Sequence, residues 1–122
     1  MNKICFVEMD SSLNCKIKNY TDAIMNGNSY SLWWDSRKRF KQCERYINEY
    51  TLMFDDTIWY ITALQSYDTT VFVILETDDK KYIMCSGSYS KTTTQHIHKF
   101  LKAYNVPIKS LLEIDYCTLY EI

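Results

Sequence analysis

The sequence predicts a single α+β domain spanning residues 1–122, an antiparallel sheet of about five or six strands packed with two helices. Three observations lead there. The unbroken apolar run Val71 to Leu75 suits a central strand covered on both faces. Strand-like runs at 58–65, 70–76 and 81–86 are separated by the turn signals Ser66-Tyr67-Asp68 and Thr77-Asp78-Asp79-Lys80, which makes an antiparallel meander. Apolar residues at steps of three and four mark two amphipathic helices. At 122 residues the chain suits one core. Two glycines and one proline leave little room for linkers or a loop-dominated fold.

Taken in order, Ile4 to Met9 reads as a strand. Leu13, Cys15 and Ile17 alternate with Asn14, Lys16 and Lys18 as a second, so the first eighteen residues predict a β-hairpin. Thr21 to Met25 fits one helical turn ended by Gly27. Tyr30 to Trp34 is strongly apolar, and its adjacent tryptophans cannot share one side of a strand. Phe40, Cys43, Ile47, Tyr50 and Phe54 form the apolar stripe of a helix expected over about Ser36 to Phe54, with Asp35 or Ser36 as cap. On that wheel Arg37, Lys38, Lys41 and Arg45 share an adjoining face, and Arg45 and Glu49 form an i, i+4 pair. The cluster reads either as a solvated helix face or as a phosphate-binding patch.

The second helix is expected from Ser90 or Thr92 to about Asn105. Ile97, Phe100, Leu101 and Tyr104 face inward, Gln95, His98, Lys99 and Lys102 outward, and Pro107 prevents continuation. The tail from Cys117 to Ile122 reads as a last strand. Alternatively, Ser110 to Glu113 could start a short helix. If that last strand lies at an edge, it offers a route to a homodimer.

Composition narrows the functional classes. A net charge of −1 gives no global field for nucleic acid, so any electrostatic role is local. Five scattered cysteines without a C-x-x-C pair suit neither a disulfide framework nor a zinc knuckle, and imply reduced, mostly packed thiols. No signal-peptide core or membrane span is visible, which predicts a cytoplasmic protein without membrane contact. Eleven tyrosines either fill strand positions or supply contact surface.

Catalytic candidates are thin. Cys85 with His96 or His98 has the residue types of a thiolate–imidazole pair, but Cys85 sits within a predicted strand. His96 and His98, two apart on a helix, point about 200° away from each other and cannot share a metal. A packed His96, bonded to a strand or turn group such as the Ser66–Asp68 turn, is the simpler expectation. Neither phosphate loop nor dinucleotide fingerprint is present. No cofactor, metal or catalytic residue is expected, and the protein reads as a non-enzyme.

At Ser66-Tyr67-Asp68-Thr69 and Tyr89-Ser90-Lys91-Thr92-Thr93-Thr94-Gln95-His96-Ile97-His98-Lys99-Phe100-Leu101 the chain resembles a small uncharacterised domain family of phages and mobile elements of Gram-positive bacteria. That family carries Ser-Tyr-x-Thr and Tyr-Ser-x-Thr-Thr-x-x-His-Ile-x-x-Phe-Leu motifs. The likeness covers residues 64–104. It implies a setting rather than an activity, in which small proteins bind and disable host proteins, defence nucleases such as CRISPR effectors among them. The expected role is therefore an anti-CRISPR-like inhibitor in the host cytoplasm. Its expected contact residues are Trp33, Trp34, Arg37, Lys38, Lys41, Arg45, Tyr30 and Tyr46, since aromatic residues and arginine dominate interface energetics. The alternative is a nucleic-acid-binding accessory protein that uses the same basic and aromatic face.

Overall fold

A computed structural model of the chain describes residues 5–6 and 32–122, apart from Gln42, Asp55, Asp56, Asp68, Ser88, Cys117 and Leu119. Within these residues seven strands form one antiparallel sheet: β1 (Cys5–Phe6), β2 (Leu32–Phe40), β3 (Arg45–Phe54), β4 (Thr57–Ser66), β5 (Thr69–Glu76), β6 (Lys81–Cys85) and β7 (Tyr120–Glu121). Their spatial order is β1-β7-β6-β5-β4-β3-β2, so β2 to β6 form a continuous meander. One α-helix lies among the described residues, α1 (Lys91–Ala103), and a 3₁₀ turn follows at Leu111–Glu113.

The α+β class stands, but the helix expected over 36–54 is a β-hairpin. Ile47 lies opposite Lys38 on β2 and opposite Leu64 on β4. This segment holds a strand pattern as well as a helical one. Tyr46, Ile47, Tyr50 and Thr51 favour strands. With Ile47 turned to the helix side, the flanking Tyr46 and Asn48 fall on the opposite side. Glu49 does not serve Arg45 along a helix. It reaches across the ladder to Lys38, 2.8 Å away. Of the hairpin expected over the first eighteen residues, Cys5–Phe6 is a strand and pairs with Tyr120–Glu121. Residues 13–18 and 21–25 lie outside the described residues.

The meander agrees with the sequence. Val71 to Leu75 are all buried, as a central strand requires. Alternation divides the sheet into two sides. On the helix side Ile47, Leu64, Phe72, Ile74, Ile83 and Cys85 join Ile97, Phe100 and Leu101 in one core. On the far side Trp59, Ile61, Ala63, Val73, Leu75, Tyr82 and Met84 are also buried. The two alternatives for the tail are each met in part: a short 3₁₀ turn forms, and of the strand expected over Cys117 to Ile122 the residues Tyr120–Glu121 are present. Ser110 and Glu113 form a capping box on the 3₁₀ turn, and Tyr120–Glu121 forms β7. Because β7 lies between β6 and β1, it is not an edge, and the dimer route through it loses its basis.

Helix α1 begins where its cap predicts. The Ser90 hydroxyl accepts from the Thr93 amide at 3.3 Å. It ends with Asn105 at φ 55°, where the Asn105 amide donates to the Lys102 carbonyl and the Val106 amide to the Leu101 carbonyl. That pattern is a Schellman motif with asparagine in the left-handed position, and Pro107 follows it.

Candidate functional site

Two turns meet at one end of the sheet. The β2–β3 connection spans residues 41–44, and the β4–β5 connection is a two-residue turn between Ser66 and Thr69. The register Tyr46 to Gln65 sets them side by side. Gln65 ties them together: its carbonyl oxygen accepts from the Asn48 amide group at 2.8 Å, and its own amide donates to the Tyr67 carbonyl at 2.8 Å.

Tyr67 occupies the first position of the two-residue turn with φ 56°. A left-handed backbone there suits glycine or asparagine, and a bulky aromatic in that region is a true outlier. Its side chain is 67% exposed, so burial does not compensate. Instead the Arg45 guanidinium lies over the Tyr67 ring, 4.4 Å from its centre. A second stack stands on the far side of the sheet, where Arg37 lies 4.0 Å over the ring of Tyr46, itself 43% exposed. Stacking on an aromatic face orients a guanidinium without consuming its donors.

The strands divide the residues that a helical wheel had grouped. Arg37 and Tyr46 share the far side, Lys38 and Arg45 share the helix side, and Lys41 is an exposed turn residue. The common basic helix face therefore does not exist. Arg37 and Arg45 instead lie on opposite sides of the sheet, each stacked on a tyrosine near its turn end. Trp33 and Trp34 lie on β2 opposite Thr51 and Tyr50, twelve and eleven positions along the chain from Arg45. Tyr30 lies outside the described residues. Lys38 pairs with Glu49, which holds the Glu49 carboxyl below and the Lys38 amine above their ordinary ranges. Arg39 meets Glu44 at 2.7 Å. Both pairs are exposed and contribute little to stability. The sequence reading missed Tyr67. The available signal was an aromatic in a two-residue turn where asparagine, aspartate or glycine normally stands.

Two of the catalytic candidates are bonded to backbone groups. Cys85 is fully buried, and its thiol donates to the Gly87 carbonyl at 3.4 Å. His98 accepts from the Leu111 amide at 3.4 Å and so joins α1 to the 3₁₀ turn. Burial pushes the Cys43 thiol up, away from thiolate character. Among the described residues no cluster of three or more His, Cys, Asp or Glu can hold a metal. A cavity of about 220 Å³ lined by Lys81, Asn105, Pro107 and Ile122 falls below the usual ligand-site range of roughly 300–1,000 Å³. No helix among the described residues is long and apolar enough to cross a membrane.

His96 is buried as expected, but among the described residues it has no hydrogen bond to Ser66 or Tyr67 of the turn. Ser66 Oγ lies 3.4 Å from Thr93 Oγ1, and the buried His96 Nδ1 has no partner among the described residues. Burial holds the imidazole below its usual value near 6.5, and the cations Arg45 and Lys99 push it the same way. The folded state therefore binds fewer protons than the unfolded chain below about pH 6.5, and stability falls as pH drops through that window. Thermal melts from pH 8 to 5 should show this loss in the wild type and a shallower one in His96→Gln. Equal slopes would remove His96 as the cause.

No curated protein and no solved structure matches the chain. One family model does, described as "Family of unknown function (DUF8033)" and aligned with residues 18–115. The match includes the β2–β3 hairpin, both Arg–Tyr stacks and all of α1. Since it spans well over half of the 122 residues, the chain belongs to this family of unknown function.

Proposed function

We propose that the protein is a non-enzymatic interaction module that binds a partner protein through the Arg–Tyr surface at the turn end of the sheet. The observation that carries the reading is Tyr67. A left-handed backbone costs an ordinary residue roughly 1–2 kcal/mol. Strain of this kind at an exposed position points to function. The ring displays apolar area and holds the Arg45 guanidinium in place, and Arg37 on Tyr46 repeats the device across the sheet. Tyrosine and arginine are the side chains that anchor protein interfaces.

The target class follows from the phage and mobile-element resemblance of residues 64–104. It is a host protein, with a defence nuclease complex as the leading kind. The test is capture from lysate of a Gram-positive host, with and without nuclease treatment, using the wild type beside folded Arg37→Ala and Arg45→Ala variants. One protein retained after nuclease and lost with either variant supports the reading. Retention by both variants sinks the surface assignment.

One observation favours nucleic acid as a second reading. Guanidiniums stacked on tyrosines next to Lys41 also suit stacked bases and phosphates. This reading predicts oligonucleotide binding that weakens steeply with salt. A flat salt response dismisses it.

A further inference from the structure

Strand β2 ends the spatial order of the sheet, and among the described residues it pairs only with β3. Such an edge presents backbone donors and acceptors to any extended chain of suitable shape. The register shift between Trp34 and Ser36 interrupts the strand, which leaves Ser36 to Phe40 as its regular outer stretch. Three consecutive cations lie within it. Arg37 and Arg39 project from the far side and Lys38 from the helix side, all exposed. A strand added along this edge meets positive charge on both of its faces.

We infer that β2 accepts an acidic extended segment of a partner protein by strand addition, which deepens the interaction reading above and rests on it. The charges select the occupant. A second copy paired antiparallel about Lys38 sets Arg37 against Arg39 and lysine against lysine, and like charges directly opposite destabilise a sheet. A strand with carboxylates at alternate positions meets Arg37 and Arg39 on one side, and a neighbouring carboxylate meets Lys38 on the other. Lys38 and Arg39 give up little to reach it, because Glu49 and Glu44 hold them in exposed pairs, and Arg37 keeps its donors while stacked on Tyr46. Lysine and arginine on an edge also guard against aggregation. The two roles agree, since a basic edge rejects its own copy and admits only an acidic strand.

The probe is a peptide of about ten residues alternating glutamate with threonine, beside two controls: its lysine counterpart, and the glutamate peptide N-methylated at alternate residues. Amide shifts and hydrogen exchange of the isotope-labelled full chain are read in each. The expected result is protection of amides within Ser36–Phe40 by the glutamate peptide alone, with at least ~10-fold weaker binding after N-methylation, which removes several backbone hydrogen bonds. Equal affinity for the methylated peptide overturns the inference, because charge alone then explains binding. The same protection from an oligonucleotide, or from self-association without peptide, also overturns it. If the peptide fails while Arg45-dependent partner capture persists, strand addition is wrong and the interaction reading stands.

Discussion

Phe100→Ala is expected to lower the free energy of unfolding by about 3–5 kcal/mol, the usual cost of emptying a fully buried aromatic site. Domains of this size are stable by only about 5–15 kcal/mol, so at least about a fifth of the total is at stake. The side chain is completely buried. It meets Phe40 of β2 edge-on at 6.2 Å and Phe72 of β5 at 5.9 Å, and Tyr104 lies 4.7 Å away. One ring therefore joins the helix to the edge hairpin and to the central strand. The test is urea unfolding of the single variants and of Phe100→Ala with Phe40→Ala. Contact between the rings predicts a coupling of roughly 0.5–1.5 kcal/mol. Strict additivity would show that α1 does not pack on β2. It would thereby reject the hairpin in favour of some other arrangement of residues 36–54.

Tyr67→Asn is expected to move stability and binding in opposite directions. Asparagine tolerates the left-handed backbone far better than a bulky aromatic. The relief is worth up to about 1–2 kcal/mol, less about 0.5–1 kcal/mol for the exposed cation–π contact that Arg45 loses. The fold should thus gain several tenths of a kcal/mol, visible as a melting temperature a few degrees higher. Partner affinity should fall by about 2 kcal/mol, near thirtyfold, if Tyr67 is an anchor of the interface. A variant that is both more stable and deficient in binding marks the tyrosine as kept for contact at the expense of the fold. A less stable variant with undiminished binding would show that the ring serves the turn instead.

The acid response of His96 and the strand-addition test probe the two neighbours of this surface, the helix above it and the edge beside it. Arg45 links the first of these to the site. Its guanidinium covers Tyr67 and also acts on the His96 imidazole. Arg45→Ala should therefore soften the acid sensitivity as it weakens partner capture.

The sequence by itself determined the central meander and the helix, because their signals are local. Val71 to Leu75 is too apolar to lie anywhere but inside, and the turns beside it are written in polar residues. Ser90 caps the helix, Asn105 and Pro107 close it, and the stripe of Ile97, Phe100 and Leu101 fixes the side it buries. What the sequence could not decide was the segment from Ser36 to Phe54. There Phe40, Cys43, Ile47, Tyr50 and Phe54 satisfy a helical period, while Ile47 between Tyr46 and Asn48 satisfies a period of two. The choice came from partners distant in sequence: Leu64 opposite Ile47, Glu49 reaching diagonally to Lys38, and Phe100 against Phe40. Only the folded sheet supplies those partners. In supplying them it split one imagined basic face into two Arg–Tyr stacks around a turn, and among the described residues it left β2 at the end of the sheet and β7 between β6 and β1. Periodicity records which residues could share a surface, but pairing across strands decides which surface exists.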